Sequence, residues 1–163
     1  MKILWIYKYM QNYDFDNNLH LKYIQWMKNN GYDVTCYGPH IEDAYPDLVD
    51  VIYDKHLTWK EIVKKTQADV AIVMTKSRMW EYYDPFHNKF TGYWLPADFN
   101  NKLIPKLVVE EDYMYEKNDN WYFENGVDLL IQRHSSQALR KGKTPVTWIP
   151  FSVDEKSFTN KKK

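Results

Sequence analysis

The sequence predicts an α/β domain of three layers, in which a mostly parallel sheet lies between layers of helices. Stretches rich in apolar and β-branched residues alternate with stretches of helical periodicity, and no hairpin signal separates two predicted strands. Two segments, Ala68–Thr75 and Val127–Ile131, are nearly continuous apolar runs, which is typical of parallel strands buried on both faces. We expect right-handed crossovers to connect such strands into one open sheet.

The first forty residues predict a strand, a helix and a second strand. Lys2–Tyr7 is apolar and rich in β-forming residues, so it is interpreted as the first strand. A polar, aromatic loop, Lys8–Asp16, follows it. Apolar residues at helical spacing predict a helix over Leu19–Asn29, and the Asn30-Gly31 pair is a typical helix end. Asp33–Tyr37 is the second predicted strand.

The next segment predicts a helix that begins with a recognisable cap. Thr58 is followed three residues later by Glu61, which is the capping-box pattern, so a helix is predicted over Trp59–Lys65. The buried strand Ala68–Thr75 follows. Within the long connection before this helix, Val51–Tyr53 is a candidate short strand.

The middle of the chain is irregular and dense in aromatic residues. Lys76–Asn101 is predicted to lack regular structure except for some helix, and a stretch of that length inside a compact domain is often functional. Its aromatic part, Trp80–Trp94, is interpreted either as a groove that binds sugars, since aromatic faces stack on sugar rings, or as cover for a core or an interface. Lys106–Glu110 is a predicted strand and Asn118–Glu124 a predicted short helix.

The last part of the chain repeats the pattern of strand, helix and strand. After Val127–Ile131, Ser135 or Ser136 is a candidate cap for a helix over Gln137–Lys141. The final predicted strand is Val146–Ile149, which a proline then ends because proline donates no ladder hydrogen bond.

Composition limits the classes of function. The chain has 163 residues, enough for one domain with a sizeable core, and its 22 basic and 22 acidic residues give a net charge of zero. This balance argues against a generic nucleic-acid binder, which would carry a basic excess. Cys36 is the only cysteine, so a disulfide framework is excluded and a reducing, cytoplasmic compartment is expected. No apolar segment approaches the roughly 20 residues of a membrane span.

The chain ends on a motif that resembles a known family. Ile149, Pro150, Val153, Asp154 and Phe158 match the phrase I-P-N-G-V-D-x-x-x-F, with Phe and Ser in place of the usual Asn and Gly. This phrase closes the N-terminal Rossmann-like domain of GT-B glycosyltransferases of the retaining, glycogen-synthase-like superfamily. The phrase P-K-L-V-V-E-E-D-Y also looks like the spore-maturation-type branch of that superfamily.

The resemblance implies a Rossmann-like acceptor-side domain over residues 1–152, followed by the start of an interdomain linker over 153–163. The implied function is transfer of a sugar from a nucleotide-sugar to a hydroxyl of a glycan, lipid or protein acceptor, completed by a C-terminal donor-binding domain. The nucleotide-sugar is then a substrate, and no further cofactor or metal is implied. The isolated chain is expected to be inactive, and a peripheral membrane contact is a further expectation. The alternative from another class is a non-catalytic carbohydrate- or partner-binding module of the same fold.

Three consecutive carboxylates give the first candidate site. They follow a predicted parallel strand, and open α/β sheets bind ligands at the carboxyl ends of their strands. By the resemblance, Asp112 is the candidate catalytic residue, which would orient an acceptor hydroxyl or accept its proton. Glu111 and Tyr113 are candidate substrate-binding residues. The alternative interpretation is that Glu110 and Glu111 form a solvated strand end and that Asp112 caps a helix or turn.

Further candidate binding residues follow the other strands. Arg133 and His134 lie after the strand that contains Asp128 and before a predicted helix, where backbone N–H groups favour an anion. A capping motif is the alternative for this segment. Lys8 follows the first strand, and Trp80 begins the aromatic stretch. His20 lies on the first helix, where a surface histidine is the simpler interpretation.

Other site types lack their signatures. The sequence contains no P-loop, no G-x-S-x-G and no G-x-G-x-x-G motif, so serine hydrolase chemistry and dinucleotide binding are poorly supported. No spacing of histidines, Cys36 and carboxylates makes a structural zinc site. No glycine occurs between Met1 and Asn30, which weakens any phosphate cradle after the first strand.

Overall fold

A computed structural model of the chain describes residues 1–7, 18–75, 81–84, 89–93, 95–110, 119–132 and 142–148. The strands in these ranges are β1 (Ile3–Ile6), β2 (Val34–Tyr37), β3 (Val70–Thr75), β4 (Glu81–Asp84), β5 (Lys89–Tyr93), β6 (Lys106–Glu110), β7 (Leu129–Gln132) and β8 (Val146–Trp148). The α-helices are α1 (Asn18–Asn29), α2 (Ile41–Ala44), α3 (Trp59–Thr66) and α4 (Asp119–Glu124), and Pro46–Leu48 forms a 3-10 turn.

Six of the described strands form one parallel sheet, in the order β2-β1-β3-β6-β7-β8. Each neighbouring pair is parallel: β1 with β2 and β3, β6 with β3 and β7, and β8 with β7. Helices flank the sheet, so the predicted α/β, Rossmann-like class is confirmed.

Alternate side chains of the strands divide the core between two faces of the sheet. On one face, apolar strand residues pack with Trp59 and Ile62 of α3, with Tyr122 of α4 and with Phe99 of the loop before β6. On the other face, a second cluster includes Leu21 and Ile24 of α1. This alternation follows from the two-residue period of a strand.

Cys36 of β2 belongs to the second cluster and is fully buried. Burial raises the pKa of its thiol to about 12, because the charged thiolate is disfavoured away from water. The interpretation of Cys36 as a small core residue is confirmed. Within the described ranges, no helix has both the length and the apolar character needed to cross a bilayer.

Two helices end in the same hydrogen-bonded motif. At the end of α1, the N–H of Gly31 donates to Lys28 (3.1 Å) and the N–H of Tyr32 to Met27 (3.1 Å). At the end of α4, the N–H of Gly126 donates to Phe123 and that of Val127 to Tyr122, both at 3.0 Å. Both patterns are Schellman motifs, which require the left-handed backbone seen at Gly31 (φ 84°) and Gly126 (φ 66°). The predicted end of the first helix is therefore confirmed.

The first turn of α3 has two independent caps. Thr58 and Glu61 form the predicted capping box, with the Glu61 N–H donating to Thr58 Oγ1 (3.2 Å) and the Thr58 N–H to Glu61 Oε2 (2.8 Å). The bond from the Thr58 N–H, together with one from the Thr58 hydroxyl to the same oxygen (2.7 Å), lowers the pKa of Glu61. From a distant segment, Asp98 accepts bonds from the N–H groups of Trp59 (2.6 Å) and Lys60 (3.5 Å).

We expect Asp98→Ala to lower the free energy of unfolding by about 1–2 kcal/mol, because it removes a carboxylate from a helix N-terminus. Asp98→Asn keeps one acceptor oxygen and is expected to lose less. The measurement is urea denaturation of both variants and the wild type. An unchanged midpoint for Asp98→Ala would show that the capping box alone satisfies this helix end.

The predicted short strand Val51–Tyr53 is wrong. Side chains of β2 bond instead to the two residues that flank this segment, Asp50 and Asp54. Thr35 Oγ1 accepts from the Asp50 N–H (3.0 Å), and the Tyr37 hydroxyl donates to the Asp54 carbonyl (2.9 Å). The segment therefore lies beside β2 without forming a ladder.

The expectation that no hairpin occurs is wrong for Lys76–Asn101, whereas the helix expected there is not seen in the described part of this range, of which residues 76–80, 85–88 and 94 lie outside the described residues. β4 and β5 pair antiparallel, with Tyr83 opposite Phe90 and Asp84 opposite Lys89. Their aromatic residues favour strands, and the four-residue connection Pro85–Asn88 lacks the glycine that marks the commonest hairpin turns. The predicted helix Gln137–Lys141 lies outside the described residues.

A buried lysine joins two loop segments at the amino end of the sheet. Lys106, the first residue of β6, has no exposed surface. Its Nζ donates to the carbonyl oxygens of Phe99, Asn101 (3.2 Å) and Asn125 (2.6 Å), and it lies 4.6 Å from the centre of the Phe99 ring. Burial lowers the pKa of Lys106 to about 8, an effect that the charge of Asp128 opposes. We call this arrangement the Lys106 clasp.

Candidate functional site

The strand order places a crevice at the carboxyl ends of β1 and β3. From β1 the chain goes outward to β2 and then returns to β3 on the other side of β1, so the direction of winding reverses between them. Ligands in open α/β sheets bind outside the carboxyl ends of the strands at such a reversal, because the two loops diverge there and leave a gap.

Polar residues cross this edge of the sheet in one register row. The Cα partners are Thr75 with Glu110, Glu110 with Gln132, and Gln132 with Trp148. We call these four residues the carboxyl-edge row. They occupy neighbouring strand ends, so adjacent members lie about 4.8 Å apart along the sheet.

The row two residues earlier along each strand is entirely apolar. It contains, in register, Ile6, Val73, Val108, Leu130 and Val146. Four of these side chains are buried, and the fifth packs against the same core. Over two residues along β3, β6 and β7, the side chains on this face of the sheet therefore change from apolar to polar at the carboxyl edge.

Gln132 is the member of the row whose side chain the structure describes, and it has no exposed surface. A primary amide both donates and accepts hydrogen bonds without carrying charge. Burying a primary amide at a strand end costs free energy unless its donor and acceptor groups are satisfied. The side chain lies on the same face of β7 as Leu130.

The sequence-predicted residues continue from these strand ends. Glu111, Asp112 and Tyr113 follow Glu110, and Arg133 and His134 follow Gln132. Since Glu110 and Gln132 are register partners, the acidic and the basic candidates leave the sheet from adjacent strands. These five residues themselves lie outside the described residues.

The remaining candidates also lie outside the described side chains. Lys8 follows Tyr7 at the end of β1, next to the reversal, and Trp80 immediately precedes β4. His20 lies in the first turn of α1, where only its backbone is described. β1, β3, β6 and β7 run parallel, so their carboxyl ends lie at one edge of the sheet.

In comparisons with protein-family models, with curated proteins and with solved structures, no match to this chain was found. The interpretation of the site therefore depends on its chemistry and topology.

Polar residues at the end of β2 form a structural group beside the crevice. Tyr37 is buried, and its hydroxyl both donates to the Asp54 carbonyl (2.9 Å) and accepts from the Asp54 N–H (3.4 Å). Burial is the main cause that raises the pKa of Tyr37. Its ring contacts Tyr53 at 5.5 Å between centroids. Since both polar functions of this hydroxyl are used to hold the chain, we assign it to the fold.

The other buried ionisable group, Lys106, lies at the opposite edge of the sheet. It starts β6, whereas the carboxyl-edge row ends that strand, so the Lys106 clasp is separate from the candidate site. Among the described residues, no three histidine, cysteine or acidic side chains gather in an arrangement that would hold a metal ion.

The sequence analysis did not predict that Thr75 and Gln132 lie in one register row with Glu110. Each ends an apolar run with a polar residue, which is the only signal that the sequence carries. That signal identifies strand ends one at a time, whereas the row depends on which strands are neighbours and on their register.

Proposed function

We propose that this chain is the acceptor-binding, Rossmann-like domain of a glycosyltransferase that moves a sugar from a nucleotide-sugar to a hydroxyl group. The observation that carries the proposal is the carboxyl-edge row, which runs from Thr75 beside the reversal through Glu110 and Gln132 along the carboxyl edge of the sheet, the edge at which open α/β sheets bind ligands. The closing motif formed by Ile149, Pro150, Val153, Asp154 and Phe158 supports the choice of glycosyl transfer among the chemistries that such sheets perform.

The proposed reaction joins an acceptor oxygen to the anomeric carbon of the donor sugar. The bond from that carbon to the nucleotide's phosphate oxygen breaks, and the electron pair leaves with the phosphate. In the proposal, Asp112 orients the acceptor hydroxyl or accepts its proton, depending on the stereochemical course. Arg133 and His134 are suited to bind an anionic group, because both side chains can donate hydrogen bonds and the N–H groups at the start of the predicted helix also favour an anion.

The residues around the row suit binding of a sugar hydroxyl. Glu110 and the acidic residues after it offer acceptors, and Gln132 offers both a donor and an acceptor. Glu111, Tyr113, Lys8, Trp80 and His20 are the further substrate-binding candidates. The donor nucleotide-sugar is proposed to bind mainly through a second domain.

The first test is a ¹⁵N NMR titration of this chain with gluco-oligosaccharides and, separately, with UDP-glucose. We expect the oligosaccharides to shift the amide signals of Thr75, Glu110 and Gln132, and UDP-glucose to bind weakly. Shifts confined to the amino end of the sheet, or submicromolar binding of UDP-glucose, would contradict the acceptor-domain proposal.

The second test concerns Asp112 in the protein together with its donor-binding half. Asp112→Asn is expected to reduce turnover about a hundredfold with little change in melting temperature, because proton transfer contributes about that much to the rate. Glu124→Gln, an exposed carboxylate on α4, serves as the control. A lower melting temperature with unchanged specific activity would mark Asp112 as a structural cap.

A non-catalytic carbohydrate-binding module is the second candidate function. It is favoured by the absence of glycine between Met1 and Asn30, since a glycine after the first strand lets the backbone approach a phosphate. This candidate predicts the same oligosaccharide shifts, but no transfer when the donor-binding half is present.

A further inference from the structure

The Lys106 clasp places one amine among three acceptors. Its Nζ donates to the carbonyl oxygens of Phe99, Asn101 (3.2 Å) and Asn125 (2.6 Å). An ammonium carries three N–H donors and no acceptor, so a protonated Lys106 has one donor for each of these carbonyls. Because the side chain has no exposed surface, these contacts use the whole donor capacity of the charged amine.

A neutral amine cannot make the same three hydrogen bonds. It has two N–H groups and a lone pair, and a lone pair directed at a carbonyl oxygen is repelled by the lone pairs of that oxygen. Loss of the proton therefore leaves one of the three carbonyls without a donor from Lys106. A buried acceptor without a donor costs free energy, so the bond that breaks is expected to be the one whose carbonyl has another donor within reach.

The Asn101 carbonyl meets this condition. Its oxygen also accepts a hydrogen bond from the N–H of Leu103 (3.1 Å), and its bond to Lys106 is longer than the bond to the Asn125 carbonyl. Asn101 is exposed, so water can reach its carbonyl, whereas Phe99 is buried. Among the three carbonyls, that of Asn101 is therefore the one most readily given up.

The part of the chain that this bond holds is short and lies on the surface. Residues 101–103 are exposed, and Leu103 shows 44% of its surface. Before this segment, the ring of Phe99 packs against Trp59 with 5.2 Å between centroids. After it, Ile104 packs against the core. A change at the Asn101 carbonyl is therefore confined between two anchored positions.

The charges around the amine place the loss of its proton close to neutral pH. Burial lowers the pKa of Lys106 to about 8, an effect that the charge of Asp128 opposes. The charge of Lys102 lowers this pKa further, and that of Asp98 raises it. In the part of the chain that the structure describes, α3 presents an aromatic ring to the amine, and the end of α4 presents a backbone carbonyl.

We propose that the Lys106 clasp is a proton-controlled switch that holds or releases the surface segment 101–103. With the amine charged, Lys106 binds all three carbonyls. When the amine gives its proton to solvent, Lys106 keeps the carbonyls of Phe99 and Asn125, and the Asn101 carbonyl turns to water and to the Leu103 N–H. The inference does not depend on the proposed glycosyl transfer, since the clasp lies at the opposite edge of the sheet from the carboxyl-edge row.

The test is a ¹³C-detected NMR titration of the whole chain from about pH 6 to about pH 10, which brackets the ordinary and the lowered lysine pKa. This detection does not depend on amide protons, which exchange rapidly at alkaline pH. We expect the Lys106 ¹³Cε signal and the Asn101 carbonyl signal to change together with a midpoint near pH 8. The carbonyl signals of Phe99 and Asn125 are expected to change less, and the Leu103 methyl groups to gain motion above the midpoint.

Lys106→Met is expected to abolish the change at the Asn101 carbonyl. Lys102→Met is the matched control, because it removes a neighbouring amine of the same segment and leaves the clasp in place. We expect this control to keep the titration and to raise its midpoint, since the charge of Lys102 lowers the pKa of Lys106. It also decides the question if Lys106→Met does not fold.

Four outcomes would each overturn the proposal. The first is an Asn101 carbonyl signal that stays constant through the midpoint of Lys106. The second is an equal change at all three carbonyls, and the third is a Lys106 midpoint near the ordinary lysine value of about 10.4. The fourth is loss of the titration in Lys102→Met, which would identify Lys102 as the group that titrates.

Discussion

Lys106→Met is expected to lower the free energy of unfolding by about 3 kcal/mol at pH 7, although methionine keeps most of the volume of the side chain. Three carbonyl oxygens, those of Phe99, Asn101 and Asn125, lose the amine that they share. Each buried acceptor left without a donor costs about 1–3 kcal/mol, and removing a buried cation returns part of that loss.

The control for this substitution is Lys102→Met. Lys102 lies four residues earlier in the same segment and is exposed, so its replacement is expected to change stability by less than about 0.5 kcal/mol. Both variants are compared by guanidinium denaturation. A loss below about 1 kcal/mol for Lys106→Met would show that water or a loop rearrangement replaces the clasp.

The pH dependence gives an independent check of the same residue. Burial lowers the pKa of Lys106 to about 8 in the folded protein, below the value near 10.4 of an unfolded chain. Between these two values the unfolded state binds more protons, so stability rises with pH. The free energy of the wild type minus that of Lys106→Met is therefore expected to increase by about 2 kcal/mol from pH 7 to pH 10. A constant difference would contradict the lowered pKa.

Gly126→Ala is expected to destabilise the protein by about 3 kcal/mol, whereas Gly31→Ala is expected to cost only about 1–2 kcal/mol. The two glycines make a matched pair, since each closes a Schellman motif with a positive φ. They differ in their surroundings. A Cβ at Gly31 would meet nothing within 4 Å, but one at Gly126 would lie 2.8 Å from the Asn100 carbonyl oxygen and 3.2 Å from the amine of Lys106.

The difference between the two alanine variants isolates this close approach from the cost of the left-handed backbone. Urea denaturation of both variants measures it, and the m-value checks that the unfolded states are comparable. Equal losses for the two variants would show that the Asn100 segment moves aside without cost. A larger loss at Gly126 would show that the Lys106 clasp and the end of α4 are one packed unit.

The sequence by itself predicted most of the sheet and the ends of the helices. Apolar runs such as Lys106–Glu110 and Ala68–Thr75 became strands because parallel strands are buried on both faces and leave an unbroken hydrophobic signal. The cap at Thr58 and the helix end at Gly31 were predictable because their hydrogen bonds join residues at most five positions apart.

The sequence did not reveal features that depend on distant partners. The hairpin of β4 and β5 was missed because its four-residue connection carries no common turn signal. Val51–Tyr53 was wrong as a strand, and side chains of β2 bond to the residues on either side of it, Asp50 and Asp54. Lys106 was predicted as an ordinary strand residue, because no pattern in the neighbouring sequence indicates that its amine binds three carbonyl oxygens.

The same division applies to the candidate site. The sequence located the strand ends to within about one residue, with Ile131 as the predicted end of β7 where the structure has Gln132, and so it indicated the loops after β6 and β7 as places for chemistry. Only the tertiary structure decided that these two strand ends are neighbours and that Thr75 and Trp148 extend them into one row. The physical reason is that the identity of a strand end is a local property of composition, whereas register and strand order result from the burial of both faces of the sheet at once.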